Sequence, residues 1–241
     1  MIDTHAHVGE MVIETEVDWT KLKSIVLSGT SLADSIKNIG LAGENKKYLA
    51  SIGYHPENIK DDIFELLKLA KENRHKIVAI GECGLDALCT DVALQQERFE
   101  VQVGLAIELD LPLIIHARKL NDEIIEILKK YPKHRGVFHC YTGGKKRIEK
   151  ILELGEWYFG IDGNVTYEPG LEEVVKLIPQ DRLLCETDCP YLTPLPYRGE
   201  KNYPQYVEFV YKKIGEIWQK NFEETETILD KNAGSLFNKI V

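Results

Sequence analysis

The amino-acid sequence predicts a (β/α)8 TIM barrel of the α/β class, in a single domain spanning residues 1–241. Three observations predict it. Eight short apolar runs alternate with longer segments of helical period along the whole chain, as the βα units of a parallel sheet do. Seven residues of metal-ligand or acid/base type fall at or just past the ends of six of those runs, the face on which such a barrel carries its active site. A chain of 241 residues with 44% hydrophobic content is long enough for one large core, and it contains no repeat, low-complexity segment or Pro/Gly/Ser-rich linker that would divide it.

Taken in order, the first run, Met1 to Thr4, leads into His5-Ala6-His7. Residues two apart on an extended segment point to the same side, so one strand offers both imidazoles together. The second run is Ser24 to Ser28, and the third, Tyr48 to Gly53, is followed by His55. Ile63, Leu66, Leu67 and Ala70 repeat with helical period. The fourth run, Ile77 to Gly81, ends at Glu82 in Ile80-Gly81-Glu82-Cys83-Gly84-Leu85-Asp86, where the glycines let backbone approach closely. Phe99, Val103, Ala106 and Leu109 mark a further helix, and the fifth run, Leu113 to Ile115, ends at His116. After a helix carrying Ile124, Ile125 and Leu128, the sixth run, Gly136 to Phe138, ends at His139. Gly155 stops a helix built on Ile148, Ile151, Leu152 and Leu154. Trp157 to Ile161 and Arg182 to Cys185 are the last two runs, and Asp188 follows the eighth. Pro204 opens a helix with Val207, Val210, Tyr211, Ile214, Ile217 and Trp218 on its apolar face, and the chain from Phe222 onward reads as helix.

Imidazole and carboxylate together suit zinc, manganese or nickel, and a bridging carboxylate allows a pair of divalent ions. Glu82 is the candidate bridge. Asp188 could ligate through one oxygen and accept a proton on the other. Asp3 shares side-chain parity with His5 and His7, and Glu186 shares it with Asp188, so each is a candidate orienting partner whose role stays open. Arg118 points the same way as His116 and offers a planar fork to a phosphate oxygen, or else an ion pair at a helix start. Arg198, with Asn202 and Tyr203 on a Pro-rich loop, reads as a recognition element or a structural turn. His75 and His134, set among Lys and Arg, read as surface residues.

Cys83, Cys89, Cys140, Cys185 and Cys189 form an odd set without CxxC spacing, which argues for a reducing, cytoplasmic setting. Those beside candidate ligands read as small buried hydrophobes. A net charge of −9 argues against broad capture of nucleic acid or anionic membrane, so a polyanion would meet local cations such as Lys145-Lys146-Arg147, Arg118-Lys119, or Arg198 with Lys201. There is no signal-peptide pattern and no apolar run long enough for a membrane span.

Taken together, Ile2-Asp3-Thr4-His5-Ala6-His7, Gly53-Tyr54-His55-Pro56, Gly81-Glu82-Cys83-Gly84-Leu85-Asp86, Pro112-Leu113-Ile114-Ile115-His116-Ala117-Arg118, Phe138-His139-Cys140-Tyr141 and Glu186-Thr187-Asp188-Cys189-Pro190 resemble the TatD family of metal-dependent deoxyribonucleases. The resemblance implies two divalent metal ions (Zn, Mg, Mn or Ni), with His5, His7, Glu82 and Asp188 on one and Glu82, His116 and His139 on the other. It implies 3′–5′ exonuclease or phosphodiesterase action through a metal-bridging hydroxide, with Asp188 and Glu82 catalytic and His55, Arg118 and Arg198 on the substrate side. DNA with single-stranded ends is the expected substrate, and a monomer without membrane attachment the expected form. Gly9, Leu120, Glu168 and a short stretch after Asp86 depart from the family's usual pattern. The same site would also suit a hydrolase of esters, amides or lactones, or an aminoacyl-tRNA deacylase, and a non-catalytic nucleic-acid-binding metalloprotein is the reading of another class.

Overall fold

A computed structural model describes residues 1–8, 17–131 and 134–238. Gly9 lies outside these residues. Eight strands, β1 (Ile2–Ala6), β2 (Ser24–Leu27), β3 (Tyr48–Ile52), β4 (Ile77–Asp86), β5 (Leu113–Arg118), β6 (Arg135–Phe138), β7 (Glu156–Ile161) and β8 (Leu183–Cys185), follow one another in chain order. Between and after them run α1 (Leu32–Glu44), α2 (Ile63–Glu72), α3 (Val92–Glu108), α4 (Asn121–Leu128), α5 (Lys145–Leu152), α6 (Pro169–Leu177), α7 (Val207–Trp218) and α8 (Phe222–Leu236). The architecture is the (β/α)8 class. Among the described residues, no helix is long and apolar enough to cross a membrane.

The chain groups into two compact units, one formed by Met1–Leu27, Cys140–Ile148 and Tyr158–Val241, the other by Ser28–His139 and Glu149–Trp157. In the first, β1 pairs in parallel with β2, and β7 with β8. Every residue of β1 is buried, and α7 turns Val207, Val210, Tyr211 and Ile214 into the core. The Tyr211 hydroxyl lies 2.8 Å from Asp230 and 3.1 Å from the Ile2 carbonyl, so α7, α8 and β1 meet on a satisfied polar group. A reciprocal capping box, Asn221 with Glu224, starts α8.

In the second unit β3, β4, β5 and β6 pair in parallel in that order. The predicted faces of α2, α3 and α4 are inside: Ile63, Leu66 and Ala70; Phe99, Val103 and Ala106; Ile124, Ile125 and Leu128. Each large apolar side chain so buried contributes about 1.5–3 kcal/mol. Asp62 caps α2 by accepting from the Phe64 amide.

Two features differ from the sequence expectation. At β1, β4 and β5 the apolar run stops short of the strand's carboxyl end, because hydrophobicity stops where side chains turn polar while the backbone continues extended. β4 therefore runs on past Glu82 to Asp86, pairing Gly84 with His116 and Asp86 with Arg118. Helix α1, capped by Ser31, shows little apolar period because Ser35 and Asn38 are buried beside Ile39.

Candidate metal centre

In the first unit the end of β1 presents two imidazoles, and Asp188 meets them. His5 Nε2 lies 3.1 Å from His7 Nε2, and Asp188 Oδ1 is 3.5 Å and 3.2 Å from the two nitrogens. Asp188 sits three residues beyond β8 in the left-handed region, φ 53°, with its amide donating to the His5 carbonyl at 3.0 Å. His7 N in turn donates to the Cys189 carbonyl at 2.8 Å, so both ends of the triangle are tied by backbone. Asp3, fully buried, accepts from the Thr187 amide at 2.9 Å and the Thr187 hydroxyl at 2.6 Å. Burial raises its carboxyl to about 7. Asp3 thus braces the strand against the 187–189 segment, which gives a part to one residue the sequence left open.

In the second unit Glu82, His116 and His139 form an equivalent triangle. Glu82 Oε1 is 2.9 Å from His116 Nδ1 and 2.8 Å from His139 Nε2, and those nitrogens are 3.3 Å apart. Glu82 is placed by a register shift in the β4–β5 ladder between Ile80 and Cys83, and bulges of this kind re-aim a side chain. At Gly84, φ 147°, an added Cβ would lie 2.0 Å from the His116 carbonyl oxygen, so glycine is what lets β4 lie so close to the His116 backbone.

The other ring nitrogen of His116 faces Asp86 Oδ2 at 3.1 Å. A carboxylate there accepts a hydrogen bond from Nε2–H and leaves the Nδ1 lone pair turned toward Glu82 and His139, the arrangement by which second carboxylates orient metal-binding histidines. Burial opposes charge on His116, but Glu82 and Asp86 outweigh it and raise its pKa.

His55 stands beside this set with Nε2 3.7 Å from Glu82 Oε1 and its ring edge-on to His116 at 4.3 Å. Its Nδ1 accepts from the Glu57 amide at 3.2 Å, and burial lowers its pKa to about 4. The ring is therefore neutral with its proton on Nε2, a hydrogen-bond donor and not a lone-pair ligand.

The spacing of the donor atoms is that of cation sites. An ion held tetrahedrally at about 2.0–2.1 Å from nitrogen and oxygen sets its donors roughly 3.3 Å apart. The edges of the two triangles span 3.1–3.5 Å and 2.8–3.3 Å. Two lone-pair donors and a carboxylate at such separations repel unless a cation or proton lies among them. The residues present fit a divalent ion in each set.

Several contributors were not evident from sequence. Gln95 and Gln102, both fully buried on α3, lie seven residues apart on one helix face. Gln95 brackets Asp86, accepting from its amide at 2.8 Å and donating to its carbonyl at 3.1 Å. Gln102 does the same for Tyr54, at 2.8 Å and 3.2 Å, one residue before His55. The available signal was two amides inside the apolar stripe of Phe99, Val103 and Ala106. Glu186, fully buried, accepts from the Cys140 amide at 2.5 Å, and burial raises its pKa well above the carboxylate range.

The predicted substrate-side arginines each have a partner near their strand or loop. Arg118, half-exposed, is 4.0 Å from Asp86 Oδ2, and Arg198 lies over the Tyr167 ring at 3.9 Å. Cys83, Cys185 and Cys189 are buried as expected, whereas Cys89 and Cys140 are partly exposed. His134 is not a surface residue. It is 7% exposed, because its ring packs edge-on against Trp157 at 5.1 Å, a neighbour that the charged residues beside it in sequence do not disclose.

These features together define a class, a (β/α)8 metal-dependent hydrolase. A family model for TatD related DNase matches residues 2–238. The uncharacterized metal-dependent hydrolase YabD of Bacillus subtilis is 36% identical over 98% of both chains, and YcfH of Escherichia coli K12 is 32% identical over 99% of this chain and 96% of its own. The crystal structure of YJJV, a TatD homolog from Escherichia coli K12, superposes with a TM-score of 0.89 at 26% identity, covering 99% and 98% of the two chains. The chain belongs to the TatD family.

Proposed function

We propose that this metal-dependent hydrolase is a cytoplasmic deoxyribonuclease that hydrolyses phosphodiester bonds from single-stranded DNA ends in the 3′–5′ direction. The observation that carries the reading is the pair of donor triangles, His5–His7–Asp188 and Glu82–His116–His139, each with the edges a bound divalent ion requires. When bound, such ions lower the pKa of water and stabilise charge on the attacking and leaving oxygens of an in-line displacement.

The chain's own groups have distinct tasks. Asp188 turns Oδ1 toward both imidazoles and accepts a proton on Oδ2. His55 donates from Nε2 to a phosphate oxygen, a role its Nδ1 contact with the Glu57 amide enforces. Asp86 holds the His116 ring in the tautomer that ligates through Nδ1. Arg118 and Arg198 are the cations that meet the substrate backbone in a chain of net charge −9.

The test is digestion of end-labelled single-stranded DNA by the metal-loaded protein, compared with panels of aryl esters, lactones and aminoacyl esters. Stepwise shortening, lost on chelation and in Asp188→Asn and Glu82→Gln, is expected. Undiminished cleavage in both variants, or turnover confined to the non-phosphate panels, would overturn the reading.

A further inference from the structure

Immediately after the Cys189–Pro190 step, a large aromatic side chain stands out in solvent beside the first donor triangle. Tyr191 is 62% exposed, yet its ring is edge-on to His7 at 6.2 Å, and its amide donates to the Asp188 carbonyl at 3.0 Å. A lone exposed apolar ring is ordinary on a protein surface. What sets Tyr191 apart is that the backbone beneath it is held.

Asn202, fully buried, donates from one amide nitrogen to the carbonyls of Thr187 at 2.9 Å and Tyr191 at 2.5 Å, and its own amide donates to the Pro190 carbonyl at 3.2 Å. The Tyr203 amide closes on its side-chain oxygen at 2.9 Å. Farther along, the Thr193 hydroxyl donates to the Glu200 carbonyl at 2.6 Å and the Leu195 amide donates to the Thr166 hydroxyl at 2.9 Å. The loop is thus pinned from Thr187 to Tyr203 while the Tyr191 ring is left outside the core. Burying such a ring would have stabilised the fold, so its outward placement forgoes that gain on a backbone that does not need to move. The same loop carries a second flat group at a set position, the Arg198 guanidinium over Tyr167, whose hydroxyl is bonded to Asn164.

We propose that Tyr191 is a stacking platform for a nucleobase, holding the base of the nucleotide whose phosphate lies at the His5–His7–Asp188 set. This rests on the phosphodiesterase reading for the choice of substrate, and adds the element that binds the base. Stacking on an aromatic face is tolerant of base identity, so the platform favours nucleotides over sugar phosphates without reading sequence. The ring is a positioning residue: it touches the base and leaves the bond-breaking to other groups.

The experiment is calorimetric titration of the metal-loaded protein with deoxyadenosine 5′-monophosphate and with deoxyribose 5-phosphate, for wild type, Tyr191→Ala and Tyr191→Trp. Metal content is measured alongside. Wild type is expected to bind the nucleotide about 10-fold more tightly than the sugar phosphate. Tyr191→Ala loses that preference with sugar-phosphate affinity and metal content unchanged, and Tyr191→Trp keeps it. Equal binding of the two ligands by wild type, or a Tyr191→Ala variant that weakens both equally or loses metal, overturns the platform. A wild type that prefers the nucleotide but cleaves no phosphodiester would remove the nuclease reading and leave the platform standing.

Discussion

Asp86 shows how much one carboxylate does at this site. Its Oδ2 faces His116 Nε2 at 3.1 Å and its Oδ1 accepts from the Leu88 amide at 2.7 Å, so both oxygens have assigned work. Replacing it by Asn removes the charge that makes His116 a good donor and permits the ring to turn. Asp86→Asn is expected to weaken metal binding about 10–100-fold at the Glu82–His116–His139 set. His5→Ala should instead act mainly on the set that contains Asp188. Metal titration of the two variants checks the division, and an equal loss of both ions in either variant would contradict it. His116 was legible as a candidate ligand from its place after an apolar run. The function of Asp86 was not, because four residues along a strand do not reveal which ring nitrogen a carboxylate will meet.

At the scale of elements, α3 is more than a cover for the sheet. Gln102 bonds both the amide and the carbonyl of Tyr54, which leads into His55, and Gln95 treats Asp86 in the same way. One helix face therefore sets the positions of a strand-end histidine and a strand-end carboxylate. Gln102→Leu nearly preserves volume but leaves two buried backbone groups without partners, at about 1–3 kcal/mol each. The expected outcome is a loss of about 2–6 kcal/mol in denaturant unfolding, with a larger relative effect on KM than a surface change of equal cost. A stability within experimental error of wild type would show that water or another group replaces the glutamine. The apolar period of α3 was readable along the chain. Its two amides were silent, since a sequence pattern marks a face as inward without saying what lies opposite.

For the molecule as a whole, stability should depend on pH through His134. Burial lowers its pKa from 6.5 to about 4, a small opposing effect coming from a Tyr131 backbone hydrogen bond. Above pH 6.5 the ring is neutral folded or unfolded and contributes no slope. As pH falls from 6.5 to 4 the unfolded chain takes up a proton that the folded chain resists, so stability is lost across that window at up to about 1.4 kcal/mol per unit and levels off below it. Comparing unfolding free energies at pH 7 and pH 4.5, His134→Leu should lose about 2 kcal/mol less than wild type on acidification. Equal losses would mean that the ring is hydrated in the folded state.

His134 also marks the boundary between what the chain order discloses and what folding adds. By itself the sequence determined the (β/α)8 class, the eight runs that become strands, and the histidine and carboxylate candidates at their ends, because side-chain period and strand-end position are local properties of the chain. Only the tertiary structure decided that Glu82 lies within β4 at a register shift, that Asp86 and the Glu57 amide fix the tautomers of His116 and His55, that α3 braces two site segments, and that Tyr191 stands outward on a pinned loop. Those outcomes depend on which groups distant in sequence come within about 3 Å of one another, the range at which a hydrogen bond or a shared cation fixes the role of a side chain.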